Sequence, residues 1–186
     1  HFPPINAPDH QRVRMSLPYF EEFGWRPTVL AVEPEYVEGV WDSGLLQSVP
    51  TETDVIRTRA LPVKQTRRIG LGGLALRSLP FLRATGNALL KEKKFDLIYF
   101  STTMFPTMAL GPHWRRKWHV PYVLDFQDPW LSDYYDSPAS PAPPGGRLKY
   151  GVTKSLARLL EPKAVRYASH IISVSPAYPS TLLARY

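Results

Sequence analysis

Five short apolar runs recur along the chain: Arg26 to Val32 (RPTVLAV), Val55 to Arg59, Phe95 to Ser101 (FDLIYFS), Tyr122 to Phe126 (YVLDF) and His170 to Val174 (HIISV). Their length and their β-branched and aromatic content predict buried strands. Ahead of the first, Asp9 is placed to cap a helix through Val13, Leu17 and Phe20, whose spacings put them on one face. Pro18 interrupts or restarts that helix, and Gly24 ends it. Leu82 to Lys94 and Pro106 to His119 read as further helices, Trp41 to Leu46 as a helical turn, and Pro176 to Tyr186 as a last turn or two. Before Leu82, the residues Gly70, Gly72, Gly73 and Pro80 predict a loop or a broken stretch. The segment from Ser137 to Gly146 (SPASPAPPGG) is excluded from regular structure, because its prolines remove donors and its glycines loosen the backbone. A helix follows it, with Leu148, Val152, Leu156, Leu159 and Leu160 on one stripe and Lys154 and Arg158 off it.

The order α-β-β-α-β-α-β-α-β predicts an α/β, Rossmann-like domain: a mostly parallel sheet with helices on both faces. Ligands of such sheets bind outside the carboxyl ends of the strands, which directs attention to the residues just after each run. The densest of these is Asp125-Phe126-Gln127-Asp128-Pro129-Trp130. Asp128 has the chemistry to accept hydrogen bonds from a sugar hydroxyl, and Trp130 to stack on a sugar's apolar face. In the competing reading, Asp125 ties down backbone amides and Trp130 plugs the edge of the core. Residue types alone favour the second, since a buried tryptophan more often packs than binds. Ser101 and Thr102, at the end of FDLIYFS, are further candidates for substrate binding.

Composition narrows the class. The chain has 186 residues, the length of one compact domain, and 23 basic against 16 acidic residues give it a net charge of +7. Hydrophobic residues at 44% exclude an intrinsically disordered chain. No apolar stretch is long enough for a membrane-spanning helix. With no cysteine, disulfide scaffolds, thiolate metal sites and cysteine nucleophiles are out. His1, His10, His113, His119 and His170 form no close ligand pair, so no metal site is expected. Ser175 lacks the glycines of a hydrolase elbow. The chain opens on His1-Phe2-Pro3-Pro4 instead of methionine, and the expectation is a trimmed unit whose first strand is missing.

HFPP, SLPYFEEFGWRPTVLAV and FDLIYFSTTMFPTMALGPHWRRKWHVPYVLDFQDPW together resemble the amino-terminal domain of family 4 glycosyltransferases, and LEPKAVRYASHIISVSPAYPSTLLARY is similar to that family's closing helix and strand. The resemblance implies the acceptor-side half of a two-domain GT-B enzyme, with the carboxy-terminal donor-binding domain absent and this piece inactive alone. Such enzymes are retaining transferases of the hexosyltransferase type. They move a sugar from a nucleotide-diphosphate sugar to a glycan or lipid-linked acceptor, usually with no bound metal or other cofactor. Gln127 and Asp128 would face the transferred sugar as the catalytic pair, with Asn6, His10, Ser101, Thr102 and Trp130 binding substrate. Many members carry glycines after the first strand, where this chain has Ile5-Asn6-Ala7-Pro8-Asp9, and a histidine or arginine at the position of Gln127.

Basic residues cluster between Lys64 and Lys94 among leucines, and Arg67, Arg68, Arg77 and Arg83 are the candidate surface for a membrane or a lipid-linked acceptor. Arg115-Arg116-Lys117, between Trp114 and Trp118, reads first as a solvated helix face. Neither a recognition-helix pattern nor a phosphate-loop motif is present, so nucleic acid is not an expected partner. The expected location is cytoplasmic, at the inner face of the cell membrane, in polysaccharide biosynthesis. The alternative function is a non-catalytic basic Rossmann-like module that binds a membrane surface or a polyanion.

Overall fold

A computed structural model describes residues 1–68, 70–137 and 139–186; Pro138 of the proline-rich segment lies outside them. The chain divides into two compact units, His1–Phe95 and Asp96–Tyr186.

In the first unit, β2 (Thr28–Val32) and β4 (Asp54–Thr58) run parallel, with Thr28 opposite Asp54 and Val32 opposite Thr58. Both match the predicted runs to within two residues at each end. Leu17 is buried with Phe2 and Ala31, and Val13 and Phe20 pack against that cluster, as their shared helical face predicts. Helix α1 (Gln11–Ser16) stops before Pro18, which lacks the N–H needed to continue it, and a 3-10 turn Leu17–Tyr19 takes over. Gly24 ends the segment in the left-handed region at φ 76°, its N–H bonded to the Glu21 carbonyl.

Three elements differ from expectation. A two-residue strand β1 (Ile5–Asn6) precedes α1 and pairs antiparallel with β3 (Val40–Trp41). Trp41 is therefore extended, and the predicted turn begins later, as a 3-10 helix Ser43–Ser48 whose Gly44 N–H is capped by the Asp42 carboxylate. After a short α2 (Val63–Arg67), helix α3 runs Leu74–Glu92 straight through Pro80. An interior proline costs about 3 kcal/mol. Opposing that cost, the turn before Pro80 buries Leu74, Ala75 and Ser78.

The second unit is a three-stranded parallel sheet in the order β5 (Ile98–Ser101), β6 (Tyr122–Phe126), β7 (His170–Ser173). Every residue of the central β6 is buried, which explains its apolar character on both faces apart from Asp125. Helix α4 (Leu110–Trp118) ends where His119 turns left-handed, at the predicted position. Helix α5 (Gly146–Arg166) is tied to β6 by Tyr122, whose hydroxyl donates to the Ala164 carbonyl at 2.6 Å. Helix α6 (Ala177–Arg185) closes the chain.

The buried face of α5 is Lys154, Ala157, Glu161 and Ala164, the reverse of an ordinary amphipathic helix. Leu148, Val152 and Leu159, from the predicted stripe, are exposed at 86%, 65% and 54%. The inward charges are tolerated because each is paired. Lys154 Nζ donates to the Asp133 carboxylate at 2.7 Å and also to Asp136. Glu161 accepts from the Leu131 N–H at 2.8 Å, and from Arg185 and the Tyr186 hydroxyl at 3.0 Å each.

Candidate functional site

A hydrogen-bonded polar cluster in the second unit lies where β5 and β6 end. Ser101 stands opposite Asp125 in the parallel register, and Tyr99 lies two residues earlier on the same strand face. Asp125 is 0% exposed; its Oδ2 accepts from the Ser101 hydroxyl at 2.7 Å and the Tyr99 hydroxyl at 3.0 Å. The Gln127 side-chain amide donates to Ser101 Oγ at 3.0 Å. A relay Gln127–Ser101–Asp125 therefore orders the first residue after the strand. Asp125 takes hydroxyls in these bonds, where the packing reading of the sequence expected backbone amides. Ser101 gives its one proton to Asp125, so towards any substrate it acts as an acceptor.

Beyond Gln127 the chain is held a second time. The Trp130 N–H donates to the Tyr178 hydroxyl at 3.0 Å, and the Leu131 N–H to Glu161. Burial raises the Tyr178 pKa, keeping that hydroxyl neutral. The Trp130 ring stacks on Phe105 with centroids 5.7 Å apart, Phe105 stacks on Phe126 at 6.3 Å, and Phe126 meets Tyr178 edge-on at 5.2 Å. One face of Trp130 is thus taken by the aromatic row, as the packing reading expected. Asp128 is exposed between the two anchors. Thr102 Oγ1 accepts from the Met104 N–H, shaping the turn after β5.

In the first unit, Asn6 is exposed on β1. His10 is only 2% exposed. Its Nε2 lies 2.8 Å from the Ile5 carbonyl, a distance that assigns the proton to that nitrogen. Its Nδ1 is buried without a hydrogen-bond partner, and Phe2 lies edge-on at 6.1 Å. Burial lowers the His10 pKa from 6.5, against the Ile5 carbonyl and the Asp9 charge. Asp9 is not the expected cap: it is buried in the Pro8–His10 turn, and its carboxylate meets His1 Nδ1 at 2.9 Å. A cavity of about 340 Å³ opens between Arg14, Tyr19 and Ser48, and none of the sequence-predicted site residues lines it.

The predicted basic surface is corrected at Arg77. It is 1% exposed, and its guanidinium donates to the carbonyls of Gly72, Leu61 and Tyr36 at 3.2, 2.6 and 2.9 Å. Three carbonyls converging on one side chain at the start of α3 demand a planar, multiply donating group there. Arg67 is exposed but bonds both carboxylate oxygens of Glu38 at 2.7 Å. Arg68 and Arg83 are exposed. Sequence reasoning passed over Tyr99, Glu161 and Tyr178. Only Tyr99 carried a readable signal, its two-residue spacing from Ser101 on one strand. Among the described residues, no three His, Asp or Glu side chains group to hold a metal ion, and no helix is long and apolar enough to cross a membrane.

A family model described as a glycosyl transferase 4-like domain matches residues 10–186. No curated protein matches the sequence. Among solved structures, Phytolacca americana UGT2, complexed with UDP-2fluoro-glucose and pterostilbene, is similar in fold at a TM-score of 0.51 and 15% identity. The match covers 91% of this chain and 45% of that one, so the chain spans less than half the length of that neighbour.

Proposed function

Because the chain belongs to the glycosyl transferase 4-like domain family, we propose that it is the acceptor-side half of a retaining glycosyltransferase. Its substrates are a nucleotide-diphosphate sugar and a glycan or lipid-linked acceptor. The observation that carries this reading is the exposed Asp128 carboxylate, held at the end of β6 between the Gln127–Ser101–Asp125 relay and the backbone bonds of Trp130 and Leu131. A carboxylate fixed on both sides meets sugar hydroxyls without first paying the entropy of ordering a loop. Asp128 is the acceptor for the hydroxyls of the transferred sugar, and Gln127 aligns beside it. The UDP-sugar in the structural neighbour supports the donor class.

In this reading the departing diphosphate is stabilised by a donor-binding domain of the same protein, and the acceptor-side half does not turn over alone. The proposed location is cytoplasmic. Attachment through Arg67, Arg68, Arg77 and Arg83 is not favoured, since Arg77 is buried and Arg67 is neutralised by Glu38. The test is to screen nucleotide sugars for hydrolysis and transfer with the full-length protein. Release of nucleoside diphosphate from at least one donor is expected. No turnover of any donor, with nucleotide sugars failing to bind, would overturn the reading.

A further inference from the structure

Helix α5 turns Lys154 and Glu161 inward and Leu148, Val152 and Leu159 outward, an inversion that the proposed transfer reaction does not use. At 100° per residue, Leu148, Val152 and Leu159 fall within about 40° of one another on the outer face. Five cations border the stripe or end it: Arg147, Lys149, Arg158, Lys163 and Arg166, all exposed. The acids that would neutralise them are engaged elsewhere. Asp133 and Asp136 bond Lys154 on the inner face, and Glu161, the helix's one acid, is buried against Arg185 and Tyr186. The outer face is therefore apolar along its middle and positive on both flanks.

We propose that this face of α5 docks the protein on an anionic lipid surface. Leu148, Val152 and Leu159 enter the boundary between headgroups and acyl chains, and the flanking cations meet lipid phosphates. Charge complementarity selects this occupant. A second copy of the same face would bring cation against cation. A nucleic acid would satisfy the arginines and lysines but leave three exposed aliphatic side chains without a partner. A lipid surface satisfies both, because a helix lying in the headgroup layer offers anions beside its flanks and hydrocarbon beneath its middle. The inference is independent of the proposed transfer reaction, since it concerns binding alone.

The test is co-sedimentation of the full-length protein with vesicles of phosphatidylcholine, with and without phosphatidylglycerol. Binding is expected only with the anionic lipid. Each neutralised cation should weaken it roughly fivefold, so Arg147, Lys149, Arg158 and Lys163 replaced together by Gln should abolish it. Replacing Leu148, Val152 and Leu159 by Ser should remove the part of the binding that survives high salt. These positions are exposed, and unchanged melting temperatures would show that the variants fold. A second readout uses the absence of cysteine from these 186 residues, any cysteine elsewhere in the full-length protein being replaced by Ser first. Ser155→Cys, on the same outer face, takes a single polarity-sensitive dye, whose emission should shift to the blue on anionic vesicles. No binding to anionic vesicles, binding equal on both lipids, or binding unchanged by either set of substitutions would overturn the proposal. So would a dimer abolished by the Ser substitutions, or tight binding to duplex nucleic acid in place of vesicles.

Discussion

Ser101 Oγ lies 2.7 Å from Asp125 Oδ2 across the β5–β6 pair, so a hydroxyl on one strand fixes a fully buried carboxylate on the next. The same oxygen of Ser101 receives the amide of Gln127, which couples the centre of the sheet to the loop that presents Asp128. Replacing Ser101 with Ala should break both bonds and leave Asp125 under-satisfied. The expected cost is about 1–3 kcal/mol, read by urea denaturation. Tyr99→Phe should cost less, because it removes one bond and leaves the relay to Gln127 intact.

Arg77 is a structural clamp. Arg77→Met strands the carbonyls of Gly72, Leu61 and Tyr36, and a loss of about 3 kcal/mol or more is expected. Arg77→Lys should recover only part of it, since an ammonium lacks the planar fork. Arg68→Gln, at an exposed position, should stay within about 0.5 kcal/mol of the parent. Chemical denaturation of these variants checks the contrast.

Gly111 admits no side chain. A Cβ there would stand 2.6 Å from the Tyr122 ring, which is buried and anchored through its hydroxyl to Ala164. Gly111→Ala should therefore destabilise by about 1–3 kcal/mol. Tyr122→Leu in the same chain should relieve part of that penalty, measured as a double-mutant cycle.

His10 predicts a pH dependence. Its folded pKa lies below the 6.5 of an open histidine because burial disfavours the charge. The unfolded chain takes up the proton near 6.5 while the folded chain does not. The stability contributed by neutral His10 is therefore complete above that pH and is lost as pH falls towards the lowered folded pKa. His10→Gln keeps a donor for the Ile5 carbonyl and should flatten the decline in melting temperature between about pH 7 and pH 5.

The strands were legible because a buried parallel strand is apolar on both faces, and β6 was readable to the residue. Strand β1 was not, since two residues carry no period and its pairing with Val40 and Trp41 is non-local. The start of α3 was hidden because Pro80 signals a break, and the bonds that stabilise the earlier turns lie outside the helix, on Tyr36 and Leu61. Helix α5 shows the limit of periodicity most clearly. Its leucine stripe was found correctly, but which face turns inward was decided by Asp133, Asp136, Arg185 and Tyr186, none of them on the helix. At the candidate site, residue types singled out the loop after β6, whereas its aromatic anchors emerged only from the packing of Phe105, Phe126 and Tyr178.

The most direct measurement is kcat/KM for sugar transfer by the full-length protein and its Asp128→Asn variant, with the best donor and acceptor found by screening. Losing a charged acceptor held against the transferred sugar should lower kcat/KM about 100-fold at an unchanged melting temperature. An equally stable Asp128→Asn protein that transfers sugar at the parental rate would contradict the account.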